Sequence, residues 1–315
     1  MSYQIMNNII DPESVLATLA QELISNGYTV NRVNEVVGSQ KCTTWTDGSG
    51  VYFNLDLYSA TDSGGFTNIT ASMSTGYISG ILGVNQLGAE NNDGVAGSTY
   101  VARWRQYGFG LLTTIIVVTD SIVYVRQYID SRQTPSILFM KANLIEYGSS
   151  WIGTRTNYFK SHSFASTYSE LMEHADGSGG YSLSPSVLIA SNPIIKLQSI
   201  VFSDLIFLAS ESRLYIPVID GDRDKDNLAD VLLNSSFYST RGLPINLYAY
   251  DSGVYKPFGN LDIDIVVGNP AYMNDFDEIT IGSNKYINIG MLGSNDRGRG
   301  TIDLSNSVQL IRFDK

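Results

Sequence analysis

The sequence predicts a mainly β protein, with sandwich-like antiparallel sheets, one short N-terminal helix and long polar loops. Three observations predict it. Runs of β-branched and aromatic residues recur between breaks rich in Gly, Asn and Ser. One early stretch has helical spacing with a start and a stop signal at its ends. No period of 20–50 residues marks a solenoid or propeller, and no heptads mark a coiled coil. At 315 residues the chain can bury a large core, in one elaborate domain or two ordinary ones.

The helix comes first. Asp11 is an N-cap, Pro12 suits the first helical position and Glu13 the first turn. Val15, Leu16, Leu19 and Leu23 recur at helical spacing, and Gly27 is expected to end the helix in the left-handed conformation. Strands are expected at 28–37, 51–58 and 67–74, the second and third with polar and apolar residues alternating. Residues 85–99, rich in Gly, Asn, Asp and Ser, are expected to form an exposed loop. The β-branched runs 108–119 and 122–129, separated by Asp120-Ser121, predict a tight hairpin.

Further strands are expected at 187–189, 194–202, 205–208, 214–219, 248–254, 262–267, 278–281, 285–292 and 308–313, and short helical turns at 168–174 and 228–233. The chain divides into a helix-plus-sheet region (1–146), a polar connecting region (147–184) and a C-terminal β region (185–315). One continuous domain is the alternative.

A net charge of −11 argues against a broad basic surface, so specific nucleic-acid binding is not expected. The longest apolar run, 111–118, is interrupted by Thr113 and Thr114 and falls well short of the roughly 20 residues that span a bilayer. Membrane insertion is therefore not expected. Residues 1–10 lack a basic region and a long apolar stretch, so no secretory signal is expected. The single cysteine, Cys42, excludes an intramolecular disulfide and a cysteine-rich zinc site, and reads as a buried thiol. Charged residues make up only 16%, against a usual figure of about 25%. Tyrosine is abundant instead, at 20 residues, a composition that fits a surface occupied by partners.

Signatures of chemistry are sparse. His162 and His174 lie in a polar stretch; Glu170 and His174 would share a helix face, without an evident third ligand. No nucleophile elbow, phosphate loop or dinucleotide fingerprint occurs, and no cofactor is expected. The one site-like cluster is Asp222, Asp224, Asp226 and Asp230, which stand at positions 1, 3, 5 and 9 of a possible calcium loop. Its sixth position is Asn227 where glycine is the rule, and its twelfth is Leu233 where a bidentate Glu is the rule. The alternative is a solvated loop whose acids favour the start of a helix. Trp45, Trp104 and Trp151 are the stacking platforms that a carbohydrate- or receptor-binding β protein would use. A glycan-degrading enzyme would need two carboxylates facing each other about 5–9.5 Å apart, and among 31 acidic residues no pair stands out.

Several segments carry a resemblance. The early helix is followed by Ser25-Asn26-Gly27-Tyr28-Thr29-Val30, then by Trp45 and by Asp47-Gly48-Ser49-Gly50 leading into a strand. Tyr107-Gly108-Phe109-Gly110-Leu111-Leu112 runs into Thr113-Thr114-Ile115-Ile116-Val117-Val118, then Ile122-Val123-Tyr124-Val125. Near the end come Lys256-Pro257-Phe258-Gly259-Asn260-Leu261, Asp277-Glu278-Ile279-Thr280-Ile281-Gly282 and Tyr286-Ile287-Asn288-Ile289-Gly290. In style and segment order the chain resembles the structural proteins of tailed-bacteriophage virions, of the neck, tail or baseplate. The resemblance implies a subunit without an active site that forms a homo-oligomer, in a ring, and joins other virion structural proteins. It implies a place in the virion, assembled in the host cytoplasm.

Overall fold

The computed structural model describes residues 2–7, 11–61, 66–87, 102–105, 112–129, 132–145, 148–155, 186–190, 205–206, 246–251, 254–262, 265–268, 273–291 and 308–314. The fold is mainly β, and among the described residues every strand pairing is antiparallel. In chain order the elements are β1 (Ser2–Asn7), α1 (Pro12–Ser25), β2 (Thr29–Val37), β3 (Gln40–Thr46), β4 (Tyr52–Thr61), β5 (Phe66–Ser74), a 3-10 turn (Gly83–Asn85) and β6 (Ala102–Arg105). There follow β7 (Leu112–Val118), β8 (Ile122–Ile129), β9 (Arg132–Leu144), β10 (Gly148–Arg155), β11 (Ser186–Ala190) and β12 (Leu205–Ile206). The series closes with β13 (Asn246–Asp251), β14 (Val254–Leu261), β15 (Ile265–Gly268), β16 (Glu278–Ile281), β17 (Asn284–Met291) and β18 (Val308–Arg312).

Helix α1 forms where the sequence places it. The Asp11 carboxylate accepts from the Glu13 and Ser14 N–H groups, at 3.2 and 3.1 Å, satisfying donors that no helical carbonyl reaches. At the other end Gly27 has φ +86°. Tyr28 N–H donates to Leu23 O and Gly27 N–H to Ile24 O, at 3.0 and 3.1 Å, which is a Schellman ending. The turn throws Tyr28 back onto Leu23, and both side chains join the core.

Two sheets make the sandwich. One is the meander β2-β3-β4-β5-β6. The other is nine-stranded, with the path β1-β7-β8-β9-β14-β13-β12, and β10 lies between β9 and β11. Strands from all three sequence segments meet in it. Strand β9 is the joint. One of its edges pairs β8 along its first part and β14 at Ala142–Leu144, while the other pairs β10. Gly259 of β14 crosses Leu144 so closely that a Cβ there would sit 2.4 Å from Asn143 O. Pro135 of β9 lies where the β8 register slips between Arg126 and Tyr128, as a residue without an N–H requires.

The facing sides of the sheets, closed by α1, bury Leu16, Leu19, Trp45, Phe53, Leu55, Ile69, Ile116, Val123, Phe139 and Trp151 among others. At the centre Phe53 stacks on Trp45 (5.5 Å between ring centroids) and meets Phe139 and Trp151 edge-on, at 5.1 and 4.9 Å. A third sheet, β15-β18-β17-β16, has its own small core of Met273, Tyr286 and Leu310. It meets β1 through Tyr3, whose ring packs edge-on to Phe313 and whose hydroxyl donates to Glu278.

The expected hairpin is present, with Val118 opposite Val123 and Thr119 N–H bonded to Ile122 O across Asp120-Ser121. One expectation needs correction. The polar connecting region begins with a strand, since Gly148–Arg155 pairs β9 and sends Trp151 into the core. Of the exposed loop expected at 85–99, Asn85 closes the 3-10 turn, Gln86 is buried and Leu87 is exposed, while residues 88–99 lie outside the described residues. The expected strands at 194–202 and 214–219 and the helical turns at 168–174 and 228–233 lie outside the described residues.

Candidate assembly surface

Alternation along β4 turns Phe53, Leu55 and Leu57 into the sandwich, and Asn54 and Asp56 to the far face. A sequence reading takes such a polar face to be solvated. Here it is closed. Cys42, Thr44, Asn54, Asp56, Thr70, Ser72 and Ser74 are all buried, and residues 75–87 lie over part of them as a strap.

Two carboxylates fasten the strap. Asp56 accepts from the N–H groups of Gly83 and Val84, at 3.0 and 3.3 Å, at the start of the 3-10 turn where donors are otherwise unmet. A Cβ on Gly83 would come within 2.4 Å of Asn54 Cβ, so only glycine permits this approach. Glu35 accepts from Gly80 N–H at 2.8 Å, from Ser79 Oγ at 3.0 Å and from Tyr77 OH at 3.4 Å. Gln86 ties the strap to itself, donating to the carbonyls of Ile78 and Ile81 and accepting from Ile78 N–H.

Beneath the strap runs a chain of hydrogen bonds. Arg32 donates to Thr44 Oγ1 (2.7 Å) and to Ile81 O (2.8 Å), Thr44 to Asn54, and Asn54 to Ser74. The Arg32 guanidinium lies 5.5 Å from the Tyr77 ring centroid. Burial, then the neighbouring Asp56 charge and a hydrogen bond to Asp56, push the Cys42 thiol up to about 12. It is therefore a protonated, unreactive group. For Glu35, burial raises the carboxyl. The Gly80 N–H, the Ser79 hydroxyl, Arg32 and the Tyr77 hydroxyl outweigh it and hold the group below its ordinary value.

Exposed apolar side chains lie around the rim of this sheet. Six large apolar side chains are exposed among the described residues, and five of them belong to α1, β2 and the strap. Val36 is 67% exposed, Ile24 61% and Leu87 59%, with Val33 and Ile78 beside them in the chain. Strand β2 is also the edge of its sheet, and an edge with exposed valines is a ready contact for another chain.

Other candidate residues of the sequence fall elsewhere. Asp222, Asp224, Asp226 and Asp230, and His162, Glu170 and His174, lie outside the described residues. Among the described residues no group of three or more His, Cys, Asp or Glu could hold a metal ion. Trp45 and Trp151 are core residues and present no face to a sugar; the Trp151 Nε1–H donates to Asp47 at 2.9 Å. Trp104 lies on β6, opposite Thr67. The buried polar face could not be found from the sequence. Its residues read as an ordinary solvated strand face, and the Gly- and Ser-containing strap gives no sign that it folds back. Among the described residues no helix is long and apolar enough to cross a membrane.

The chain matches no protein-family model, and no curated protein matches it.

Proposed function

We infer that the chain is a structural subunit of a tailed-phage virion, which assembles as a ring in the neck or tail and joins neighbouring components. A place in the baseplate is the variant of the same reading. The observation that carries it is the set of exposed apolar side chains on α1, β2 and the strap, together with the exposed edge strand β2. The low charge and abundant tyrosine support it, as does the resemblance of the segment order to tailed-phage virion proteins. On this reading the protein works by burying surface between copies, and closed symmetry fixes the copy number. The reading includes no catalytic residue and no cofactor.

Native mass spectrometry of the purified chain tests it. The expected result is one closed oligomer of fixed copy number. Ile24→Asp with Val36→Asp is expected to weaken that oligomer while the melting temperature of the chain barely moves, since exposed substitutions typically shift stability by only about 0.5 kcal/mol. A chain that stays monomeric up to high concentration, alone and with virion components, overturns the reading.

A further inference from the structure

Strand β1 is the edge strand beside β7. It forms six consecutive pairs with β7, from Ser2↔Val118 to Asn7↔Thr113. Yet none of its side chains from Tyr3 to Asn7 is buried, whereas Val117, Ile116, Ile115 and Thr114, opposite Tyr3 to Met6, are buried completely. Met6 packs, partly buried, against the main core, and its other holds reach three separate elements. Gln4 donates to Glu22 of α1 at 2.9 Å, and Thr113 of β7 donates to Asn7 at 3.1 Å. Tyr3 meets Phe313 and donates to Glu278, at the third sheet. Together β7, α1 and the third sheet form a seat, and β1 is a separable piece that fills it.

The seat cannot be left empty. Strand β7 reads Leu-Thr-Thr-Ile-Ile-Val-Val, with no charge and no proline. Stripped of β1 it would be an exposed apolar edge of the kind that templates aggregation. What fills it need not come from the same chain. An identical strand from a second copy makes the same ladder and the same side-chain contacts, Met6 on the core included, so exchange costs little beyond bringing the copies together. Three residues, 8–10, separate β1 from Asp11 and reach only about 10 Å. A short hinge of that kind favours exchange between adjacent copies.

We propose that β1 is an exchangeable arm: in the assembled protein the β1 of one copy fills the seat formed by β7, Glu22, Glu278 and Phe313 of its neighbour. The proposal rests on the assembly reading above and deepens it, because it names the element that links one copy to the next.

Two single variants of the full chain, Asn7→Cys and Thr113→Cys, are mixed, assembled and oxidised. The two positions lie directly opposite in the ladder, a spacing that a disulfide bridges. Neither chain can close the bond on itself. The native Cys42 is buried and protonated and stays out of the reaction. Covalent two-chain species on a non-reducing gel, absent from either variant alone, support exchange. The double variant is then expected to lose its single-chain band in favour of a ladder of multimers. If the mixture assembles but remains uncoupled, while the double variant closes within single chains, exchange is overturned and the assembly reading stands. If nothing assembles, both fall. Should the cysteines lower the melting temperature, a short bismaleimide between Gln4→Cys and Glu22→Cys reads the same seat from the helix side. There, linkage within single chains of the assembled protein again overturns exchange.

Discussion

Through the described part of β3, β4 and β5 both faces of the sheet are buried, and they are built from opposite chemistry. One presents Trp45, Phe53, Leu55 and Ile69 to the second sheet; the other presents Thr44, Asn54, Asp56 and Ser74 to the strap. The apolar face is non-directional: any set of residues of suitable volume gains most of its burial energy. The polar face is held by donors and acceptors that must each meet a partner, and a buried group left without one costs more than a hydrogen bond contributes. So the apolar face carries most of the stability, and the polar face fixes where one particular segment lies. Burial by itself does not tell these two roles apart; the hydrogen bonds do.

Four substitutions sharpen or break that contrast. The largest effect is expected from Phe53→Ala, which empties the centre of the aromatic cluster. Such truncations cost about 3–5 kcal/mol, seen as a large fall in melting temperature and a weaker near-ultraviolet circular dichroism signal. Gly83→Ala comes next. Its Cβ would overlap Asn54 Cβ, and overpacking of this kind costs about 1–3 kcal/mol. Faster amide exchange should be confined to 75–87, while β3 and β4 keep their protection. Collapse of the entire domain instead would mean that the strap is part of the core.

Asp56→Asn is expected to cost about 1–2 kcal/mol, because the amide can accept from only one of the two N–H groups that the carboxylate holds. It should also lower the Cys42 thiol from about 12, since Asp56 contributes to that shift. Chemical denaturation measures the first change, and thiolate ultraviolet absorbance followed against pH the second. The smallest effect is Glu35→Gln, which should loosen 77–80 with little change in melting temperature. Because the folded-state pKa of Glu35 is depressed, its contribution is complete above the ordinary glutamate value of about 4.3 and is lost as the pH falls through the lower folded value. Acid should therefore release this end of the strap in the parent chain, and Glu35→Gln should remove that pH dependence.

The sequence made one half of this contrast legible. Asp11, Pro12 and Gly27 set the ends of α1, and the Asp120-Ser121 hairpin followed from two β-branched runs. Each signal is local, and the structure keeps it. The elements that escaped are held by distant partners. Strand β1 has few β-branched residues and exists because β7 lies beside it. Strand β9 contains Pro135, Arg132 and Lys141, residues that argue against a central strand when read alone. Strand β10 is mostly small and polar, and its Trp151 is committed to the core. The burial of Asn54 and Asp56 depends on a loop that returns over them from 27 residues further on, at Gly83 and Val84, and no periodicity encodes that. The aspartates 222, 224, 226 and 230 lie outside the described residues, so the calcium loop remains an expectation of the sequence.

The central claim is that this chain acts by assembling, through its rim, into a larger particle. A map of the intact assembly at side-chain resolution tests it most directly. The account predicts a ring in which each subunit buries well over about 1,000 Å² in specific contacts, with Ile24, Val33 and Val36 inside the contact area. A subunit found as an isolated monomer with only small wet contacts, those three side chains still facing solvent, would contradict it.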